Sequence, residues 1–175
     1  MHILIVGEPG AGKTSLINRV LQDVKQPIFG FRTEKGHKEV TGSSRIYIHR
    51  ASGPKAYSDE NTVGICSSGG AETNSGVFDS LGVSFLTGIP QDGIVLMDEL
   101  GVLESTEPVF CNIVKSILDG PYFVIAAIKT KETPFLQSVR SHYKAQVYNL
   151  TTENREILYE QIMSDIRRSD HKRMV

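Results

Sequence analysis

At 175 residues the chain is long enough for one domain with a substantial core, without disulfide or metal support. Its 39% hydrophobic and 22% charged residues are ordinary for a globular protein, and a net charge of −1 argues against bulk binding to nucleic acid or to an anionic membrane surface. The two cysteines, Cys66 and Cys111, have no metal-ligand spacing and read as reduced thiols of a cytosolic protein. The opening MHILIV has no basic lead-in and so lacks signal-peptide character. FVIAAI (123–128) is too short to cross a bilayer, so a soluble, cytoplasmic chain is expected.

Short apolar runs alternate with amphipathic segments, the pattern of an α/β domain. ILIV (3–6) reads as a buried strand, and Leu16, Ile17, Val20, Leu21 and Val24 then recur with helical period. Residues 28–76 are rich in Gly, Ser and Thr, with short alternating pieces at 45–50 and 62–66. Hairpins forming an antiparallel extension of the sheet are expected there, with CSSGGAETNSG (66–76) as a mobile loop. IVLM (94–97) and YFVIAAI (122–128) barely alternate and predict strands buried on both faces.

Between them lies a punctuated helix. Thr106 is expected to cap it, Glu107 and Pro108 suit its first turn, and Gly120-Pro121 stops it. A further helix is expected from Thr133-Pro134, a late strand at 146–150, and a last helix capped near Thr152. The basic segment 167–173 reads as a frayed, solvated helix end. No repeat or domain boundary interrupts residues 1–175, which are expected to form a single domain.

Directly after the first strand comes GEPGAGKTS, with Gly7, Gly12, Lys13 and Thr14 in the spacing G-x-x-x-x-G-K-[ST]. Glycines permit a loop whose N–H groups turn inward around a phosphate, and Gly10 is a further pliable position. The helix that follows points its positive end at the same anion. Gly7, Glu8, Pro9, Gly10, Ala11, Gly12, Lys13, Thr14 and Ser15 therefore form the candidate phosphate cradle. Lys13 would bridge β- and γ-phosphate oxygens, and the Thr14 hydroxyl would bind Mg²⁺.

The strand at 94–97 runs into two adjacent acids, Asp98 and Glu99. A P-loop needs a carboxylate on a neighbouring strand for the water shell of Mg²⁺, and Asp98 stands where one belongs. Glu99 is then free to accept a hydrogen bond from a water in line with the γ-phosphate, which favours hydrolysis. The bland alternative makes Glu99 an N-cap or salt-bridge partner of the next segment. Glu104 reads equally as an assistant or as an exposed acid.

With these motifs in place, the chain resembles the small P-loop nucleoside-triphosphatase family first recognised in thermophiles, which has a human member called cancer-related nucleoside-triphosphatase. GEPGAGKTSL (7–16) is similar to its P-loop, and Gly30, Phe31, Thr33 and Glu34 to its glycine-phenylalanine-x-threonine-glutamate segment. DELGVLE (98–104) resembles its aspartate-glutamate-isoleucine-glycine-lysine-methionine-glutamate signature, and VYNLTTENRE (147–156) its late asparagine-arginine segment. The resemblance implies a three-layer α/β/α sandwich of the RecA-like, additional-strand P-loop class. It also implies Mg²⁺-dependent hydrolysis of ATP, GTP and other nucleoside triphosphates. On this reading Lys13 and Glu99 are catalytic, Thr14 and Asp98 serve the metal, and Asn154 and Arg155 lie by the nucleotide.

The signature's lysine is replaced here by Val102, and Lys35-Gly36-His37 follows Glu34 where relatives read glutamate-valine-arginine. Arg32, Arg45 and Arg50 are the remaining candidates for a charge-stabilising arginine. Loss of such a cation slows turnover by orders of magnitude. A nucleotide or small-metabolite kinase and a slow nucleotide-binding switch are the alternatives to a phosphatase. A kinase lid carries several arginines, and 66–76 has none. The expected partners are nucleoside triphosphates, with no nucleic acid, no membrane and a monomeric chain.

Overall fold

The computed structural model describes residues 1–173. The elements in chain order are β1 (His2–Val6), α1 (Lys13–Gln22), β2 (Ile28–Lys35), β3 (Ser44–Arg50), β4 (Thr62–Ser67), β5 (Gly70–Thr73), α2 (Val83–Phe85), β6 (Ile94–Leu100), α3 (Pro108–Asp119), β7 (Phe123–Ile128), α4 (Pro134–Arg140), β8 (Ala145–Asn149) and α5 (Arg155–Arg173). The eight strands form one sheet in the order β5-β4-β3-β2-β6-β7-β1-β8. From β2 to β8 every neighbour is parallel; β3, β4 and β5 add antiparallel strands at one side.

The parallel strands read as unbroken apolar runs because helices cover both faces. Ile3, Ile5, Leu96, Ile125 and Ala127 face α1 and α5, meeting Leu16, Ile17, Val20, Leu158, Ile162 and Ile166. Leu4, Val6, Met97, Val124, Ala126 and Ile128 face α3 and α4, meeting Phe110, Val114, Ile117, Phe135, Leu136 and Val139. This is the expected three-layer sandwich. Strand β7 lies between β1 and β6, so the P-loop strand and the acid-bearing strand are separated by one additional strand. Their C-terminal ends still open on the same edge, where ligands of open α/β sheets bind.

Several expectations are corrected. Strand β2 is parallel to β6, so the antiparallel extension starts at β3 instead of residue 28. Residues 66–76 are not an open loop: Gly70–Thr73 pairs back on β4, with Ser67 opposite Gly70, through a two-residue turn. Thr106 does not cap α3. Residues Leu103–Thr106 form a 3-10 turn in which the Thr106 hydroxyl donates to Leu103 O at 3.3 Å, and Glu107 takes the N-cap position. A cap needs its oxygen free to accept from the first helical amides, and this hydroxyl points backwards. Thr133 does cap α4, accepting from Leu136 N at 3.1 Å.

Helix α5 starts at Arg155, three residues beyond Thr152, because Asn154 ties down the approach to it. Its amide donates to Asn149 O and its carbonyl accepts from Thr151 N, both at 2.9 Å. The basic segment continues α5 to Arg173, with Arg167 and Arg168 exposed; the side chains from Asp170 onward lie outside the described ones. Among the described residues no helix is long and apolar enough to cross a membrane.

Candidate active site

The loop between β1 and α1 turns on two glycines in the left-handed region, Gly10 at φ 81° and Gly12 at φ 94°. These rotations let the backbone curl in front of the N-terminus of α1, the form that an anion cradle needs. Pro9, Gly10, Gly12, Lys13, Thr14 and Ser15 line a cleft of about 590 Å³, shared with Asp98, Glu99, Glu104 and Lys129. Gly7 and Ala11 build the loop from behind. The Glu8 carboxylate turns away to accept from the Thr130 hydroxyl at 2.7 Å.

Lys13 is only 6% exposed. Its ammonium donates to Gly7 O at 2.7 Å and Glu8 O at 3.1 Å, and lies 3.2 Å from Glu99 Oε2. The Thr14 hydroxyl donates to Asp98 Oδ1 at 3.1 Å. Two hard oxygens side by side at the mouth of the loop suit an ion that keeps waters and takes phosphate oxygens, the habit of Mg²⁺. Among the described residues no group of three or more His, Cys, Asp or Glu could hold a metal unaided.

In a regular strand Asp98 and Glu99 would point to opposite faces. Here the pairing of β6 with β7 shifts register between Asp98 and Leu100, and Glu99 drops out of the ladder. Such irregularities re-aim a side chain, and both carboxylates reach the one cleft. The Glu99 amide is held instead by Thr33 of β2, donating to its hydroxyl at 3.2 Å. The peptide joining the two acids is cis.

The NTPase family model matches residues 2–163 of this chain. The chain belongs to the NTPase family. The nucleoside-triphosphatase THEP1 of Thermotoga petrophila is 32% identical over 174 residues, covering 93% of this chain and 91% of that protein. The human cancer-related nucleoside-triphosphatase is 25% identical, with 96% of this chain and 97% of that protein covered. The crystal structure of THEP1 from Aquifex aeolicus superposes with a TM-score of 0.72 at 27% identity, covering 94% of this chain and 98% of that one.

In this NTPase the buried acid Asp98 is pulled two ways by its surroundings. Asp98 is 3% exposed, and burial pushes its carboxyl above the usual range. Arg32 opposes this, donating to Asp98 Oδ2 at 2.9 Å while its other amine holds Asn18 Oδ1 at 2.7 Å. Arg32 is thus committed to the acid. Of the other candidate arginines, Arg45 pairs with Glu39 and Asp59 on the surface, and the Arg50 guanidinium sits 4.7 Å from the Phe85 ring centroid. Among the described residues no arginine lines the part of the cleft that holds Lys13 and Glu99, whereas Arg32 and Arg50 line the adjoining part beyond Thr14 and Asp98; Val102 faces the former as a half-exposed apolar side chain.

One site residue escaped the sequence reading. Lys129 pairs with Glu99 Oε1 at 3.2 Å, and it directly follows the apolar run of β7. Its position just past the C-terminal end of a parallel strand was the available signal. Glu104 is not exposed but buried, where it accepts the Gly101 N–H. Of the late pair, Asn154 closes its own loop, whereas Arg155 packs on the P-loop and donates to Ala11 O at 3.3 Å.

Proposed function

We propose that this chain, a nucleoside-triphosphatase by family, hydrolyses the terminal phosphate of ATP, GTP and other nucleoside triphosphates in the presence of Mg²⁺, with Glu99 as the base. The observation that carries the proposal is the 3.2 Å approach of Glu99 Oε2 to Lys13 Nζ. The P-loop lysine grips the γ-phosphate in this class of site, so a carboxylate beside it adjoins the face from which water attacks. An acid confined to capping the next segment, or to a salt bridge with it, would have no reason to face Lys13 at the start of α1.

Lys13 and the inward amides of residues 10–14 would hold the triphosphate, while the Thr14 hydroxyl and Asp98 hold the cation and its waters. Held there, Mg²⁺ would supply charge neutralisation for the transferring phosphoryl group. Glu99 accepts a proton from the water as its oxygen bonds to the γ-phosphorus. The bond from that phosphorus to the bridging oxygen breaks, and its electron pair stays with the nucleoside diphosphate. Orthophosphate is the second product. With Arg32 tied to Asp98 and no arginine lining the cleft beside Lys13 and Glu99, slow turnover is expected, which favours a nucleotide-binding switch as the second reading.

The test is phosphate release from ATP, GTP, CTP and UTP with Mg²⁺ and no added acceptor, for wild type and Glu99→Gln. Release should fall at least about tenfold in the variant while nucleotide still binds. Unchanged release would remove Glu99 from the reaction. Release that begins only when an acceptor is added would mean a kinase, and tight binding without turnover would mean a switch.

A further inference from the structure

Glu99 is held by two ammonium groups that differ in their other ties. Lys13 reaches Oε2 but also donates to two loop carbonyls, Gly7 O and Glu8 O. If it grips the transferred phosphate, its hold on Glu99 weakens whenever substrate binds. Lys129 reaches Oε1 at 3.2 Å and has no part in the P-loop.

Lys129 is fixed at its root and backed along its stem. Its backbone N–H donates to Leu100 O at 2.9 Å, locking its root beside the residue that follows Glu99. Its stem runs over Gly101, where an added Cβ would fall 2.9 Å from Lys129 Cδ and 3.4 Å from Cε. Any side chain at 101 would push the lysine aside. Gly101 is itself anchored, because its N–H is given to the buried Glu104. The tip of Lys129 therefore arrives at Glu99 from a backed and braced position, although the pair is part exposed, at 33% and 25%.

We propose that Lys129 is a positioning residue for hydrolysis: it holds the Glu99 carboxylate by Oε1, leaving Oε2 directed at the attacking water after Lys13 has turned to the phosphate. The inference rests on the reading of Glu99 as the base. A part-exposed ion pair contributes little to stability, so its value lies in orientation. A glutamate has several rotatable bonds, and a small misplacement of a reacting group lowers the rate by orders of magnitude.

The experiment is a double-mutant cycle in full-length protein: wild type, Lys129→Met, Lys129→Arg, Glu99→Gln and Lys129→Met/Glu99→Gln. Each is assayed for kcat and KM with Mg²⁺ and ATP, and for melting temperature. Lys129→Met should lower kcat about tenfold with KM unchanged, and Lys129→Arg should recover most of it. In the Glu99→Gln background, Lys129→Met should change kcat by less than about twofold, because the group it orients is gone.

An equal loss in both backgrounds would overturn the proposal, showing that Lys129 acts on the phosphoryl group directly or through the fold. So would a change confined to KM, no loss at all, or a lowered melting temperature with no rescue by arginine. Glu99→Gln with full activity would instead sink the base assignment itself, a separate result.

Discussion

The guanidinium of Arg155 lies against the α-carbon of Gly12. A Cβ added to Gly12 would come within 2.3 Å of Arg155 Nη2 and 2.9 Å of its Cζ. The first residue of α5 thus closes the back of the loop that opens α1, joining two segments far apart in the chain. Gly12 is doubly constrained, by this contact and by its left-handed φ of 94°. Gly12→Ala should weaken nucleotide binding at least about tenfold and destabilise the fold by about 1–3 kcal/mol. Arg155→Met should relieve the contact without restoring binding to Gly12→Ala, since the backbone strain persists. Titration with a fluorescent nucleotide analogue measures both; wild-type affinity in Gly12→Ala would mean that this loop is not the cradle.

Arg32 and the proposed cation compete for Asp98. Removing the guanidinium leaves a buried carboxylate with Thr14 as its remaining close partner. Arg32→Met should therefore melt at lower temperature than wild type when no ligand is present. On the proposed metal assignment it should also gain more from Mg²⁺ and a non-hydrolysable nucleotide, because the cation then replaces the lost charge. Thermal shift with and without the pair reads this directly. An equal or smaller gain in the variant would argue against Asp98 as the acid of the metal shell.

Glu104 makes stability depend on pH with an unusual sign for a carboxylate. Complete burial pushes it up to about 7, against the opposing pull of the Gly101 N–H. The folded protein therefore favours the protonated acid. That contribution is full below the unfolded value of 4.5 and is lost as pH rises through about 7. Over this window the loss is on the order of 3 kcal/mol. Glu104→Gln keeps an acceptor oxygen for Gly101 and removes the titration. Its melting temperature should fall less than that of wild type between about pH 5 and about pH 8. Parallel curves for the two proteins would show that Glu104 stays ionised or relaxes toward solvent.

Local chemistry alone carried much of this molecule into view. Glycine spacing, a lysine and a hydroxyl in fixed order, and two acids closing an apolar run are local patterns, each tied to a local requirement. Helix α4 was equally legible, because Thr133 and Pro134 cap it from within. Elements whose partners are distant were not. Whether residues 66–76 pair back on β4 depends on an available strand edge, and Thr106 failed as a cap because neighbouring residues form a tight turn of their own.

The active-site cations show the division most clearly. Three arginines could be named from the sequence, yet what each one touches is a property of the sheet order and not of the chain order. Arg32 meets Asp98 because β2 pairs with β6, and Lys129 meets Glu99 because β7 lies on the other side of β6. The sequence by itself determined the phosphate loop, the two acids and the α/β class, since each follows from residue type and short-range spacing. Only the tertiary structure decided which cation faces which acid, because strand order brings together residues that no local pattern links.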